Sequence, residues 1–294
     1  MSENKWKGAK PAATSPWKTR SNHREREPER QPPAPEEAFQ EPSRAVRPSG
    51  EMRLYGINAC LAAFARRPEQ LRKVYLLESR IAELKPVLAW CAQHRLGYRI
   101  VENTDLDKLT GSRHHEGICF EMLRPPPLSL DGLIEAQAPA PAASLLIWLD
   151  GVGNPHNLGA LLRSAAHFAV AGVIVPARSS LDLSGAAARV AEGAAEAVPM
   201  VRVEDEFAAL STLRDAGYQI TATVPREGEN LYSARLSARS VLVFGAEGEG
   251  MSKALIDAAD RKLSIPGSGV VDSLNISVSA AVVLGEYWRQ QQRR

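Results

Sequence analysis

The sequence predicts an α/β protein whose larger part is a parallel sheet covered by helices on both faces. Three observations carry this. From Leu145 onward, apolar strand-like runs and helical periodicities alternate along the chain, the pattern of a parallel sheet built from crossover units. The loops that follow the strand-like runs are rich in Gly, Pro, Ser and polar residues, and in such sheets ligands gather at the carboxyl ends of strands. With 294 residues, 44% of them hydrophobic, the chain is long enough for one large domain or two ordinary ones with real cores.

The elements expected in this part are a strand at 145–149, a helix at 158–168, a strand at 173–175 and helices at 185–195 and 204–216. Strands at 219–224 and 241–244 come next, then a short helix at 253–258, a strand at 262–265 and a final helix at 276–290. The loops are DGVGNPHN after the first strand, PARSS after the second, PREGEN after the third, GAEGEG after the fourth and PGSGVVDSLN after the fifth. Upstream, a helix at 56–65, a strand at 73–77, a helix at 81–94 and a strand near 98–101 fit a smaller α/β lobe that ends about Leu123. RPPPLSL, a further helical stretch and the proline- and alanine-rich AQAPAPAA then read as a linker. The expected division is therefore an arm at 1–50, a first lobe at 51–124, a linker at 125–143 and a large domain at 144–294.

Charge is distributed unevenly. The whole chain carries a formal +2, yet residues 1–24 hold six Lys or Arg against one acid, and residues 25–47 hold four Arg against six Glu. Eight prolines precede residue 50 and no apolar periodicity accompanies them, so this segment buries too little surface to offset its ordering entropy and is expected to be disordered. Trp6 and Trp17 lie among the lysines, and cations interleaved with stacking faces suit single-stranded nucleic acid; a solubilising tail is the alternative. No apolar run approaches the roughly 20 residues that a bilayer span needs, and MSENKWKGAK has no apolar signal region, so a cytoplasmic protein without membrane contact is expected. Cys60, Cys91 and Cys119 are odd in number and widely spaced, which excludes a disulfide framework or a CxxC metal site and leaves buried small hydrophobes.

No loop fits a phosphate or dinucleotide cradle: GxxxxGK[ST] is missing, and GAEGEG lacks both the GxGxxG spacing and a ribose-binding acid about 20 residues on. A GxSxG elbow and a HExxH helix are missing too. What the loops do contain is amides, a carboxylate, a hydroxyl and an arginine. Asn157 precedes LGALLRSAAHF, where it would cap a helix. Arg163 interrupts that apolar helix, and an unpaired guanidinium there needs a carboxylate, a phosphate or a wet cleft. Glu247 lies between Gly245 and Gly248, in a turn where backbone can approach a ligand, and is a candidate partner of Arg163 or simply a solvated acid. Ser273 and Asn275 flank Leu274 at the mouth of the last helix and offer hydroxyl and amide groups to a sugar or an adenine. His114 and His115 are adjacent, lack further donors nearby, and suit a structural or RNA-contact role better than a metal.

The runs NLGALLR at 157–163, VFGAEGEGM at 243–251 and IPGSGVVDSLNISV at 265–278 resemble, in order and spacing, the three signature motifs of the SpoU (TrmH) family of RNA ribose 2′-O-methyltransferases. LYGINACLAAF and LTGSRHHEGICFEM resemble the L30e-like substrate-binding domain of the family's ribosomal-RNA members, and the basic arm resembles an uncharacterised branch. The resemblance implies a SPOUT fold with a C-terminal deep trefoil knot, a homodimer, and S-adenosylmethionine held in the knot by backbone at Gly245, Ile265 and Leu274. It implies that Asn157, Arg163, Glu247, Ser273 and Asn275 position the ribose 2′-hydroxyl and help remove its proton. Whether Arg163 abstracts the proton or orients phosphate and hydroxyl stays open, because a guanidinium does not ordinarily deprotonate. One departure is Gly267, where the family usually has Met. Ribosomal RNA is the expected substrate, with transfer RNA as an alternative. A non-catalytic RNA-binding or ribosome-assembly module is the competing class, against which the complete polar set argues; a nicotinamide oxidoreductase would need the glycine motif that is missing.

Overall fold

The computed structural model describes residues 50–137, 143–246 and 250–292. The arm expected at 1–50 therefore lies outside the described residues except for Gly50, and so does most of AQAPAPAA. The chain runs β1 (Glu51–Tyr55), α1 (Ile57–Arg66), β2 (Leu71–Leu76), α2 (Lys85–Gln93), β3 (Gly97–Ile100), α3 (Asn103–Thr110), β4 (Ile118–Leu123) and α4 (Leu130–Ala136). It continues with β5 (Ser144–Asp150), α5 (Pro155–His167), β6 (Gly172–Pro176), α6 (Gly185–Val190), β7 (Met200–Val203), α7 (Glu206–Asp215) and β8 (Gln219–Thr223). β9 (Glu229–Asn230), β10 (Arg239–Gly245), α8 (Lys253–Ala258), β11 (Arg261–Ser264) and α9 (Ile276–Gln291) complete it.

The larger sheet has seven strands in the order β7-β6-β5-β10-β8-β11-β9, and every pairing in it is parallel, as the alternation predicts. Its two faces follow from the two-residue period of a strand. On β5, Leu145, Ile147 and Leu149 pack with Leu158, Leu161 and Leu162 of α5 and with Val283 and Leu284 of α9. The intervening Leu146 and Trp148 face the other way, against Leu210 and Leu213 of α7, Leu255 of α8 and Leu133 of α4. α4 thus seals the second face from within the stretch between the lobes. β7 is an addition to the expected elements; MVRV is only four residues long and abuts the α7 periodicity, so hydrophobic pattern does not set it apart from a helix. The helix expected at 185–195 stops at Val190 because Glu192 and Gly193 both take left-handed backbone, at φ 54° and 89°.

The smaller sheet has the order β1-β4-β2-β3, with β4 antiparallel to both β1 and β2 and β3 parallel to β2. β1, β4 and α3 are likewise additions, and the helix expected from Ile81 begins at Lys85, with Pro86 in its first turn where a missing N–H costs nothing. Cys60, Cys91 and Cys119 are all free and buried, and burial pushes the Cys60 thiol well above its ordinary range, so it stays neutral packing material.

α6 carries the seam between the two sheets. A Cβ on Gly185 would fall 2.5 Å from the Arg53 carbonyl oxygen and 2.6 Å from the Tyr55 ring, so only glycine lets α6 lie directly against β1. Arg67 closes the seam further along: its Nε and Nη2 donate to Glu196 at 2.8 Å each, and its Nη1 donates to the Leu123 carbonyl at 2.6 Å.

Candidate functional site

The parallel sheet delivers the ends of β5, β10 and β11 to one edge. In register, Ser264 of β11 lies one step beyond Leu263, which aligns with Thr223 of β8 and through it with Phe244 of β10, so Gly245 and Ile265 emerge side by side with only β8 between them, about 10 Å apart. Gly245 has no room for a side chain: a Cβ there would sit 2.3 Å from the Met251 nitrogen and 2.5 Å from the Gly250 carbonyl carbon. Two hydrogen bonds of 3.0 Å between Ala246 and Gly250 close this return. Glu247 falls within 247–249, outside the described residues, so the expected pairing of Glu247 with Arg163 has no counterpart among the described contacts.

α5 starts earlier than the sequence suggests. Pro155 occupies its first turn and Asn154 is its cap, with the Asn154 Oδ1 accepting from the His156 nitrogen at 2.8 Å and from the Asn157 nitrogen at 3.4 Å. Asn157 is thus inside the helix, and its amide is directed elsewhere: its Oδ1 accepts from the Asn275 Nδ2 at 3.1 Å. Asn275 caps α9 in turn, its Oδ1 accepting from the Ser277 nitrogen at 2.9 Å and the Ser277 Oγ at 2.6 Å. One amide-to-amide bond therefore ties the first motif to the third and sets two helix N-termini side by side, a geometry that favours negative charge. Ser273 and Leu274 precede it on the segment 266–275, every residue of which is exposed. Ile265, by contrast, packs partly against the core of the α5 face.

Arg163 corrects the sequence-based reading. Its helix is apolar on one side only: Leu158, Leu161, Leu162 and Ala165 are buried at i, i+3, i+4 and i+7, and Arg163 points away from them with its side chain 66% exposed. There is no buried guanidinium here to compensate. Six residues separate it from Asn157, which is about 9 Å along the axis and roughly a third of a turn around it, so the two are not on one face. Its ion-pair partner is Glu192, at 3.9 Å.

His115 is structural. Its Nδ1 accepts from the Gly117 nitrogen at 3.0 Å, which places the proton on Nε2, 3.2 Å from Asp107 Oδ1. Among the described residues no group of three or more His, Cys, Asp or Glu is arranged to hold a metal.

Two hollows flank the motifs. One, of about 400 Å³, opens at the ends of β5, β6 and β10 and is lined by Asp150, Gly151, Arg178, Ser179, Ala246 and Met251. Asp150 is buried there, its Oδ2 accepting from the Ser252 nitrogen at 2.8 Å and its Oδ1 lying 3.2 Å from Arg178. DGVGNPHN and PARSS stand out in the sequence as strand-end loops, but these two residues do not; a charged residue at the last position of an otherwise apolar strand is the signal that marks Asp150. The other hollow, of about 430 Å³, is an apolar groove between α5 and α9 lined by Ala160, Ser164, Ser277, Val278, Ala281 and Val282.

Comparison with known proteins gives this arrangement its family. Residues 144–285 match the SpoU rRNA Methylase family and residues 53–127 match the RNA 2'-O ribose methyltransferase substrate binding family. The chain is 39% identical over 240 residues to an uncharacterized tRNA/rRNA methyltransferase, YfiF, of Escherichia coli O157:H7, covering 82% of this chain and 68% of that one. It is 36% identical over 239 residues to the 23S rRNA (guanosine-2'-O-)-methyltransferase RlmB of Escherichia coli strain K12, covering 81% and 98%. The solved SpoU methyltransferase AviRb from Streptomyces viridochromogenes, in complex with AdoMet, superposes with a TM-score of 0.67 at 22% identity over 83% of this chain and 91% of that one, which is a likeness of fold. With both family matches falling in order on the two sheets, the chain belongs to the SpoU family of RNA methylases.

Proposed function

We propose that the protein methylates the 2′-hydroxyl of a ribose in RNA, ribosomal RNA before transfer RNA, using S-adenosylmethionine. The observation that carries this is the Asn157–Asn275 bond, which gathers the first and third motifs at paired helix N-termini, where the phosphates flanking a target ribose find favourable potential. The donor fits the residues present. Gly245, Ile265 and Leu274 offer backbone from two strand ends and an accessible loop. A Cβ placed on Gly267 would meet nothing within 4 Å, so the side chain that is missing there leaves no gap in the packing. When bound, the donor supplies an electrophilic methyl group.

The chain's own residues then act on the acceptor. Asn157, Ser273 and Asn275 hold the ribose through amide and hydroxyl groups, with Glu247 kept in the set on its motif alone. A guanidinium does not ordinarily act as a base, so the natural part of Arg163 is to hold phosphate and hydroxyl and to stabilise the oxygen as its proton leaves, rather than to take the proton. Catalysis is then mainly a matter of positioning.

The same reading assigns residues 51–124 as an L30e-like RNA-binding lobe, 1–50 as a basic arm, 125–143 as a linker and 144–294 as the methyltransferase domain with a C-terminal knot. The path after β11 supports the knot: β11 is two strands removed from β10 and three from β5, yet Asn275 returns to α5, so the segment 265–275 crosses the ends of β8 and β10. A homodimer is supported by the apolar groove between α5 and α9, one of whose lining residues, Val278, is exposed, as are Val270, Val271 and Leu274 of the segment before α9. No helix of the described residues is long and apolar enough to cross a membrane, and we place the protein in the cytoplasm with its RNA. Mapping ribose methylation across total RNA with and without the gene tests the function: loss of one 2′-O-methyl position is expected, and an unchanged map favours the non-catalytic RNA-binding module.

A further inference from the structure

Besides Asp182, which pairs with Arg124, three acids among the described residues sit where the first lobe meets the second: Glu116, Glu192 and Glu196. Glu196 gives both oxygens to Arg67, and Glu116 gives one to Arg189 and the other to the Ile57 nitrogen. Both hold the seam itself. Glu192 differs in its partners, because it links the first lobe to an arginine of the first motif: Oε2 accepts from the Asn58 Nδ2 on α1, and Oε1 lies 3.9 Å from the Arg163 Nη1 on α5.

Its backbone is arranged for this. Glu192 takes φ 54°, a conformation costly for a residue with a Cβ, and Gly193 follows at 89°. A Cβ on Gly193 would fall 2.8 Å from the Ala62 Cβ and 3.3 Å from the Asn58 carbonyl oxygen, so α1 lies directly on the turn and fixes where the Glu192 side chain leaves it. A carboxylate needed only for solubility requires none of this. An ion pair as open as this one adds little stability, since the Arg163 side chain is 66% exposed and that of Glu192 32%. What it can do is restrict the direction of a long, exposed guanidinium, and direction is what transfer by positioning depends on.

We propose that Glu192 is a positioning residue for Arg163, and that through Asn58 it makes the orientation of that arginine depend on the docking of the RNA-binding lobe. The proposal rests on the reading of Arg163 as the group that acts on the ribose. Two measurements on the full-length protein test it. The first observes the Arg163 Nε–H resonance, assigned as the one that disappears in Arg163→Lys. It should be motionally restricted in the wild type and become flexible in Glu192→Gln, which keeps shape and an acceptor for Asn58 but loses the charge. The second is single-turnover methyl transfer to 23S ribosomal RNA transcribed in vitro, with donor binding by calorimetry. Glu192→Gln should slow transfer about tenfold and Asn58→Ala about threefold, with donor and RNA affinity within about twofold and melting temperature unchanged. An equally ordered Arg163 resonance in Glu192→Gln overturns the proposal, whatever RNA is the true substrate. So does wild-type transfer by Glu192→Gln when Arg163→Ala is inactive. Full activity of Arg163→Ala would instead sink the reading of Arg163 and leave the contact with Glu192 as structure only.

Discussion

His115 in the first lobe and Arg163 in the second are both cationic-type side chains in motif-like runs, yet the protein uses them in opposite ways. His115 is 4% exposed and has both ring nitrogens occupied, by Asp107 and by the Gly117 backbone. Arg163 is 66% exposed and forms a long ion pair with Glu192. The contrast extends to other polar groups: Arg67 is buried and bonded to a largely covered Glu196 at the seam, whereas Ser273, Leu274 and Asn275 are exposed on the segment before α9. A polar group whose partners are all internal holds a fold, because removing it strands them; one held at its base and open at its tip is available to a ligand. Substitutions should therefore separate activity from stability according to whether the partners of the group removed are internal or open.

The sharpest way to break this division is Arg163→Ala. It should lower single-turnover methyl transfer by about 1,000-fold, with the midpoint of denaturation unchanged and donor affinity within a few fold. A fall in stability that tracks the fall in rate would make Arg163 a structural residue and erase the contrast. At the seam the expectation reverses: Glu196→Ala leaves the Arg67 guanidinium buried without its carboxylate and should cost about 3 kcal/mol by denaturant unfolding, with any loss of transfer following the loss of folded protein. A change below about 1 kcal/mol there would mean that water replaces the pair.

His115→Ala sharpens the same side of the comparison, since it removes the acceptor for the Gly117 N–H and should cost about 2 kcal/mol at neutral pH, independently of added zinc. A zinc-dependent melting temperature would reopen the metal reading. Within α5 the two asparagines should part company. Asn154→Ala removes the cap and should cost about 1 kcal/mol of stability, whereas Asn157→Ala should cost less stability and more rate; the reverse order would show that Asn157 serves the helix. The smallest effect expected is on the arm. Deleting residues 1–48 should leave folding and donor binding intact and flatten the salt dependence of RNA affinity, by up to about one unit of slope for each phosphate that the arm neutralises.

Much of the fold is legible because the large sheet is parallel. Its strands are apolar and separated by helical periodicities, so nearly every element of the second lobe shows in the residue pattern, and α8 at 253–258 shows to the residue. The first lobe is less legible. Two of its strands pair antiparallel across more than sixty residues, and β3 is exposed along its whole length, so hydrophobic pattern marks them weakly. At the site, the residue types and their order are visible in the three motifs. The cap is not, since NPHN holds two asparagines and only the placement of Pro155 in the first turn selects Asn154.

The sequence by itself determined which chemistry was available: a strand-end set of amides, a hydroxyl, an arginine and a glutamate, in an order that resembles one methylase family, on an alternation that suits a covered parallel sheet. It could not determine who meets whom. Asn157 and Asn275 are 118 residues apart and touch because the chain returns from β11 across the sheet. Arg163 looks buried in a string of Leu and Ala, and becomes a surface residue only once α5 commits its other side to the core. Glu192 is one acid among many until α1 of the other lobe lies on its turn. Each of these depends on contacts between segments distant in sequence, and local propensity carries no information about such contacts because packing of the whole chain selects them.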